Sequence, residues 1–207
     1  AHAHDVRQLL ASRGVQEAHW LGFSLGGGGV LEAADIVPER VRSLVMLSAI
    51  GAQEFELLGD YHLNHGIHGL QLAGLWFLRE AVPHFGRWDG AFLSVEYARN
   101  FYDTDQRPLR GILEWWPGPM LVIQGDGDVL VPAAAALETH RLVPQSELLL
   151  MEGDHFMAFL RPADLAGPVA DFLTRVEAGA ALARAEAMPE RVARAEAPLE
   201  PGAVPPA

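Results

Sequence analysis

The chain has 207 residues, of which 50% are hydrophobic, so it is long enough for one domain with a sizeable core and too short for two. Acidic residues outnumber basic ones by 27 to 15, and the net charge of −12 excludes the basic surface that nucleic-acid binding requires. The sequence contains no cysteine, which excludes disulfides, thiolate metal sites and cysteine nucleophiles, and which fits the cytoplasm.

Short apolar runs bounded by turn residues predict four strands, at residues 18–23, 43–48, 119–124 and 146–151. Runs that are apolar almost throughout suit a parallel sheet covered on both faces. The neighbouring stretches predict helices at residues 5–13, 25–36, 133–141 and 163–176. The alternation of strand and helix predicts an α/β fold, with a parallel sheet flanked by helices.

One long interval interrupts this alternation between the second and third predicted strands. Residues 49–116 contain no convincing strand, and we expect a helical cap at about residues 53–114 that closes over a site. Trp115 and Trp116 are expected to pack in the core where this cap rejoins the sheet. After Val176 the composition shifts to Ala, Arg, Glu and Pro, which is typical of a frayed helix and a linker. The predicted organisation is therefore a core of residues 1–176 that contains the cap, and a linker tail of residues 177–207.

The pentapeptide Gly22-Phe23-Ser24-Leu25-Gly26 ends the first predicted strand and opens a helix. A Gly-x-Ser-x-Gly turn in this context is typical of a nucleophile elbow, in which a strained backbone exposes the serine hydroxyl above the sheet. Gly22 and Gly26 are interpreted as leaving room for the close approach of strand and helix. Ser24 is therefore the candidate nucleophile.

The glycine run that follows leaves a second interpretation open. Residues 26–29 are all glycine, and a glycine-rich turn before a helix can bind phosphate through its backbone N–H groups. A Walker-type loop would end in Lys followed by Ser or Thr, where this chain has Val30 and Leu31. A dinucleotide-binding fingerprint is not present either. We favour the serine interpretation.

Two more loops follow predicted strands and carry acidic and imidazole side chains. Asp126 and Asp128 come after the third strand, and Asp154 and His155 come after the fourth. Parallel strands bring such loops to the same edge of the sheet as Ser24. A serine needs a base to remove its proton, a histidine does this near neutral pH, and an ionised acid orients the imidazole.

His155 is the candidate base, and Asp128 is preferred over Asp126 as the acid. Asp126 lies in the turn itself, and Asp154 is expected to shape the histidine loop. His62, His65 and His68 lie three residues apart in the predicted cap, where they are expected to line a pocket or be half-buried. A metal site that also uses Asp60 is the alternative.

Residues 5–173 resemble the α/β-hydrolase superfamily. Besides the serine turn, the matching positions lie in the family's acid loop, its histidine loop and the helix that follows: Gly125, Asp128, Val131, Pro132, Gly153, His155, Arg161, Pro162 and residues 169–173. The resemblance implies that Ser24 is the nucleophile and His155 the general base and then acid. It also implies that Asp128 orients the imidazole and that the Leu25 backbone N–H stabilises the oxyanion.

The superfamily takes a second oxyanion donor from a loop upstream of the elbow, and nothing in this sequence corresponds to that loop. We therefore expect the chain to be part of a longer hydrolase whose first strands are missing here. Residues 60–76 and 97–110 resemble bacterial hydrolases fused ahead of a DedA-type membrane domain. That resemblance implies a parent protein attached at the inner face of the membrane.

The expected activity is hydrolysis of an ester or related acyl bond by a serine hydrolase that forms an acyl-enzyme. We expect a small hydrophobic acyl substrate and neither a cofactor nor a bound metal. Serine at the elbow argues against haloalkane dehalogenases and epoxide hydrolases, which have aspartate there, and it leaves esterases, lipases, carbon–carbon bond hydrolases and acyltransferases open. A non-catalytic binding or scaffold module is the alternative. No apolar run reaches the roughly 20 residues of a spanning helix, so we expect no membrane contact by this segment.

Overall fold

The computed structural model describes residues 2–55, 59–81 and 94–179. Within these residues four strands form one parallel sheet in chain order, with each strand paired to the next: β1 (Ala18–Phe23), β2 (Val41–Leu47), β3 (Met120–Gly125) and β4 (Glu147–Met151). The four strands predicted from the sequence are confirmed, with small differences at their ends. The tail beyond residue 179 lies outside the described residues.

Helices pack on both faces of this sheet and fill the long connection between β2 and β3. In chain order they are α1 (His2–Ser12), α2 (Gly26–Ile36), α3 (Tyr61–Ala81), α4 (Val95–Asp103), α5 (Arg107–Trp115), α6 (Ala133–Leu142), α7 (Met157–Leu160) and α8 (Pro162–Glu177). Two single 3₁₀ turns, Pro38–Arg40 and Gln53–Phe55, precede β2 and α3. The four helices predicted beside the strands are confirmed as α1, α2, α6 and α8.

The strand β2 shows why the sheet has two cores. Successive side chains of a strand point to opposite faces, so Leu44 and Met46 pack with the cluster on one face of the sheet. Val45 and Leu47 pack on the other face, in a cluster that contains Phe172 of α8. Residues 44–47 of β2 are all apolar because both faces of the strand are covered.

The strand β1 is the outermost strand among the described residues. It pairs with β2 alone, and its other edge has no partner in this part of the chain. Leu21 in the middle of β1 is 52% exposed. An unpaired strand edge with an exposed apolar side chain is a site where another strand can add.

The connection between β2 and β3 is helical over α3, α4 and α5, while residues 56–58 and 82–93 lie outside the described residues. Trp116 at its end is 5% exposed and belongs to the core, as expected for the Trp pair. Trp115 is 51% exposed, and the expectation is therefore wrong for this residue. At the end of α5 only Trp116 faces the sheet. That these helices act as a cap stays a prediction. Among the described helices, none is long and apolar enough to cross a membrane.

Candidate active site at the carboxyl edge of the sheet

Ser24 lies in a strained turn between β1 and α2. Its φ of 54° falls in the left-handed region, which a non-glycine residue adopts at a cost of about 1 to 3 kcal/mol. Hydrogen bonds hold it there: the Ser24 N–H donates to Leu47 O at 3.1 Å, and Ser24 O accepts from the N–H of Gly27 at 3.0 Å and of Ile50 at 3.1 Å. The turn is therefore fixed by the end of β2 and leaves the serine side chain half-buried.

Two glycines make the close approach of β1 and α2 possible. A Cβ on Gly22 would lie 2.7 Å from Gly26 O and 2.7 Å from Gly27 Cα, and a Cβ on Gly27 would lie 2.6 Å from the Cβ of Ala49. Gly26 was expected to provide this room together with Gly22, but a Cβ at Gly26 would meet nothing within 4 Å. The expectation for Gly26 is wrong because its absent side chain would point into open space, and Gly27 takes that role instead.

The glycine run does not form an open phosphate cradle. Gly27 and Gly28 are buried, and their N–H groups already donate to Ser24 O at 3.0 Å and to Leu25 O at 3.1 Å. A Cβ on Gly28 would lie 3.1 Å from the side chain of Ile50, which again indicates packing. Gly27 and Gly28 therefore allow α2 to pack closely against the core. The phosphate-binding interpretation loses its support.

The side chains of Ser24, His155 and Asp128 lie together at the carboxyl edge of the sheet. His155 Nε2 is 2.9 Å from Ser24 Oγ, and His155 Nδ1 is 2.8 Å from Asp128 Oδ2. Asp128 is 5% and His155 6% exposed, so both are shielded from water while Ser24 is reachable. With the ring proton on Nδ1 donated to the carboxylate, Nε2 is free to accept the serine proton.

Three further donors hold the Asp128 carboxylate in place. Its Oδ1 accepts from the backbone N–H groups of Leu130 and Val131, each at 2.9 Å, and its Oδ2 also accepts from the side-chain amide of Gln124 at 2.9 Å. The second N–H of that amide donates to Val131 O at 2.8 Å. Sequence reasoning missed Gln124, although an amide in an otherwise apolar buried strand is a signal of such a role.

The two neighbouring acids have other partners. Asp126 Oδ1 accepts from the Gly153 N–H at 3.3 Å, which ties the acid loop to the histidine loop. Asp154 Oδ1 accepts from the Phe156 N–H at 2.9 Å and so shapes the histidine loop, as predicted. Of the two candidate acids, Asp128 is the one hydrogen-bonded to the His155 ring.

A second Ser–His–acid contact occurs at the opposite edge of the sheet. His19 Nδ1 lies 2.7 Å from Ser43 Oγ and its Nε2 lies 2.7 Å from Glu177 Oε1. Ser43, however, is a strand residue with an exposure of 0%, so no substrate can reach its hydroxyl. Accessibility and the strained turn, rather than the hydrogen bonds alone, distinguish Ser24.

Aromatic side chains surround the imidazole. The ring centroids of Phe23 and His155 are 5.1 Å apart, and Phe159 meets Phe23 edge-on at 5.2 Å. Phe156 and Phe159 are 52% and 68% exposed. The imidazole is thus bordered by apolar surface that is open to solvent on this side.

A small cleft, partly open to solvent, adjoins Leu25 on the side of the helical connection. His65 and His68 line this cleft, as expected, whereas His62 is exposed and does not line it, so the expectation is wrong for His62. His68 Nδ1 lies 2.9 Å from Gln71 Oε1, and Asp60 Oδ1 accepts the Leu63 N–H at 2.8 Å at the start of α3. Within the described residues, no group of three His, Asp or Glu side chains is arranged to hold a metal.

An ion-pair network connects the wall of this cleft to the core. Arg110 of α5 pairs with Glu54 of the Gln53–Phe55 turn, and with Glu138 of α6 at 2.9 Å. Hydrogen bonds from Arg141, and then from Arg110, lower the pKa of the buried Glu138 below its usual range. Glu138 is therefore ionised at neutral pH and fixes the turn that precedes α3.

Comparisons with known proteins agree with this architecture. Residues 1–72 match a family model described as the alpha/beta hydrolase fold. An uncharacterized protein of Mycobacterium tuberculosis is 26% identical over 86% of this chain and 62% of its own length. A pimeloyl-[acyl-carrier protein] methyl ester esterase of Photobacterium profundum is 28% identical over 83% of this chain and 80% of its own.

A solved structure of a hydrolase from Pseudomonas aeruginosa superimposes with a TM-score of 0.61 and 23% identity, over 83% of this chain and 70% of that one. The chain spans 62% of the length of the first curated relatives that it matches. The fusion with a DedA-type membrane domain stays a prediction. The parallel sheet and the superposition on the solved hydrolase together show that the chain has the α/β-hydrolase fold.

Proposed function

We propose that the protein is a serine hydrolase that cleaves an ester or a related acyl bond, with Ser24, His155 and Asp128 as its catalytic triad. The observation that carries the proposal is that one imidazole makes two hydrogen bonds: His155 Nε2 accepts from Ser24 Oγ at 2.9 Å, and His155 Nδ1 donates to Asp128 Oδ2 at 2.8 Å. The strained, accessible turn at Ser24 gives further support, because a nucleophile elbow presents its hydroxyl in this way.

The first half-reaction forms an acyl-enzyme. Ser24 Oγ attacks the carbonyl carbon while His155 Nε2 takes the hydroxyl proton, and Asp128 stabilises the imidazolium that results. The carbonyl oxygen becomes an oxyanion beside the Leu25 N–H, at the first turn of α2 where helical N–H groups have no acceptor within the helix. When the bond to the alcohol breaks, His155 returns the proton to the departing oxygen.

The second half-reaction releases the acid. A water molecule gives a proton to His155 Nε2 as it attacks the acyl carbon, and the bond to Ser24 Oγ breaks as the imidazolium returns that proton to the serine. The chain's own residues thus supply the nucleophile, the base and one oxyanion donor. No second oxyanion donor is assigned among the described residues. Loss of one such donor typically lowers the rate by about 10² to 10³.

The surroundings of His155 favour an apolar portion in the substrate. Phe23 and Phe156 contact the imidazole, Phe159 packs against Phe23, and Phe156 and Phe159 are largely exposed. The methyl ester esterase of Photobacterium profundum, 28% identical, supports an ester as the bond that is cleaved. We therefore infer an ester whose acyl or alcohol chain is small and partly hydrophobic.

A fluorophosphonate probe tests the proposal, since it reacts with an activated serine whatever the natural substrate is. The natural protein that contains this chain should be labelled, and Ser24→Ala should abolish the labelling. Ser43→Ala is the matched control, because Ser43 also contacts a histidine but is fully buried, and it should leave the labelling intact. A folded protein that the probe does not label would favour the non-catalytic binding module instead.

A further inference from the structure

We propose that Ser48, the residue that follows β2, is a positioning residue for the nucleophile: its strained backbone clamps the Ser24 turn in the orientation that brings the serine hydroxyl to His155. Among the described residues, Ser24 and Ser48 are the two non-glycine residues with a positive φ, at 54° and 43°. The inference rests on the proposed hydrolase function and adds to it a residue that acts through the backbone of Ser24.

Ser48 lies between the nucleophile and the residues that hold the acid. The registers of β1 with β2 and of β2 with β3 place Ser24, Ser48 and Gln124 level with one another, one residue beyond the last paired residues of β1 and β2. Gln124 binds the Asp128 carboxylate, and the Ser48 N–H donates to the carbonyl just before it, Ile123 O, at 2.9 Å. A shift of Ser48 would therefore change the spacing between both sides of the triad.

Two backbone hydrogen bonds join Ser24 to the chain on either side of Ser48. The Ser24 N–H donates to Leu47 O, and Ser24 O accepts from the Ile50 N–H, each at 3.1 Å. In a regular parallel ladder the second bond would come from the residue two positions after Leu47, which is Ala49. It comes from Ile50 instead, so one additional residue is accommodated between the two contacts, as in a β-bulge. The positive φ of Ser48 is the turn that accommodates it.

The same turn places the chain against the start of α2. Ala49 and Ile50 are 9% and 6% exposed and belong to the core cluster on that face of the sheet. The packing is close, because a Cβ on Gly27 of α2 would lie 2.6 Å from the Cβ of Ala49. Leu25, whose N–H is the proposed oxyanion donor, immediately precedes this helix. The backbone of Ser48 therefore positions the serine hydroxyl and the oxyanion donor together.

The side chain of Ser48 makes no hydrogen bond that would explain this backbone. The residue is 0% exposed, and its Oγ has no hydrogen-bond partner among the described residues. A left-handed backbone and an unpaired buried hydroxyl both lower stability. A position that carries both costs beside a candidate nucleophile indicates that its geometry serves the site. The role belongs to the backbone, and the hydroxyl is dispensable.

A β-branched replacement tests the role of the backbone. Val disfavours the left-handed region, so Ser48→Val in the natural protein should displace the Ser24 turn. The kcat on an accepted ester should fall about 100-fold, the usual effect of misplacing a reacting group by about 1 Å. The KM should change less than about threefold, because the aromatic surface beside His155 is retained. The rate of fluorophosphonate labelling of the folded protein should fall in parallel with kcat.

Two conservative variants should rescue this loss. Ser48→Gly adopts a positive φ without steric cost, and Ser48→Ala removes only the unpaired hydroxyl, so each should restore kcat to within about threefold of the wild type. Ser43→Val is the matched control, since Ser43 is equally buried on β2 but has an extended backbone that suits Val, and it should leave kcat unchanged. Unchanged kcat in Ser48→Val, or an equal loss in Ser48→Ala, would overturn the proposal.

Amide hydrogen exchange tests the clamp without any catalysis, with Ser48→Thr as the smaller β-branched change in case the Val variant does not fold. The Ser24 and Ile50 N–H groups should exchange at least about tenfold faster in Ser48→Thr than in the wild type or Ser48→Gly. The Leu44 N–H, bound to Pro119 O on the same strand, should exchange at the same rate in all three. Equal exchange of Ser24 and Ile50 in all three proteins would overturn the clamp.

The fluorophosphonate probe separates this inference from the proposed function. A wild type that is not labelled, although the Ser24 and Ile50 N–H groups respond to Ser48→Thr as expected, would refute the hydrolase function alone. A wild type that is labelled no faster than Ser48→Thr would refute the positioning role of Ser48 alone. Labelling that is slowed in Ser48→Thr and restored in Ser48→Gly would support both.

Discussion

Gln124 lies within the buried strand β3, yet its side-chain amide donates to Asp128 Oδ2 over 2.9 Å. The same amide donates to Val131 O over 2.8 Å, so it connects the acid to the far side of its own loop. Asp126, two residues before Asp128, binds the Gly153 backbone instead. The two carboxylates differ in their partners and can therefore be separated by mutation.

The first prediction compares these two acids. Asp128→Asn should lower kcat on an accepted ester by about 10⁴, the size found for the equivalent change in a serine protease triad, because the amide favours the wrong histidine tautomer. Asp126→Asn is the matched control and should change kcat by less than about tenfold. Steady-state kinetics decide, and equal losses in the two variants would contradict the assignment of Asp128.

The second prediction concerns the glycines around the serine turn. Gly22→Ala should lower the free energy of unfolding by about 1 to 3 kcal/mol, because its Cβ would lie 2.7 Å from backbone atoms of Gly26 and Gly27. Gly29→Ala, on the same helix α2, adds a Cβ that meets nothing within 4 Å. That variant should raise the free energy by about 0.5 to 1 kcal/mol. Urea unfolding followed by circular dichroism measures both, and similar values would refute the packing argument.

The third prediction is a pH dependence of stability. Ion pairs with Arg141 and Arg110 lower the pKa of Glu138 in the folded state, so the folded protein binds this proton less tightly than the unfolded chain does. The stabilisation is therefore complete above the unfolded pKa, which is about 4.5, and is lost as the pH falls through the lowered folded pKa.

Glu138→Gln tests this linkage. At pH 7 the variant should be less stable than the wild type by about 1 to 3 kcal/mol, the usual value of hydrogen bonds to a charged group. The difference should shrink in thermal melts below about pH 4.5, where the wild type loses the same interactions. A gap in melting temperature that stays constant down to pH 3 would contradict the role of Glu138.

The fourth prediction concerns the open edge of β1. The 207-residue chain should self-associate on size exclusion or melt below about 65 °C, because an apolar edge strand without a partner invites another strand. Leu21→Arg should shift the population towards the monomer. Leu9→Arg is the matched control, since Leu9 has a similar exposure of 53% on α1 against 52% for Leu21. A monodisperse wild-type monomer that melts above about 65 °C would count against this prediction.

The sequence alone predicted the strands and the positions of Ser24, Asp128 and His155, since these depend on local periodicity and on loops that follow strand ends. It did not predict Gln124 or Gly27, whose roles arise from contacts between β3 and its loop and between α2 and Ala49. Contacts between residues that are distant in sequence are difficult to recognise from the sequence alone. The amide of Gln124 in a run of apolar residues was the one indication.

A different reason, the geometry of the helix end, explains the mistaken expectation for Trp115. Adjacent residues at the end of a helix point about 100° apart, so one Trp of a pair can face the core while the other faces water. The polar lining of the cleft was also not predicted from the sequence. Gln53, His65 and Gln106 come from three separate segments, and only the fold brings them to the same cleft.

The contact between Ser24 and His155 joins residues that are 131 positions apart in the chain. Local contacts form quickly during folding, whereas a contact across such a span must wait until the intervening strands have been laid down in register. During synthesis, the strained serine turn emerges from the ribosome long before its imidazole does. A chain that ends between Val131 and β4 contains Ser24 and Asp128 but not His155, so the proposed triad is incomplete in it. We expect the Ser24–His155 contact to form late in refolding, once the strands between the two residues have paired.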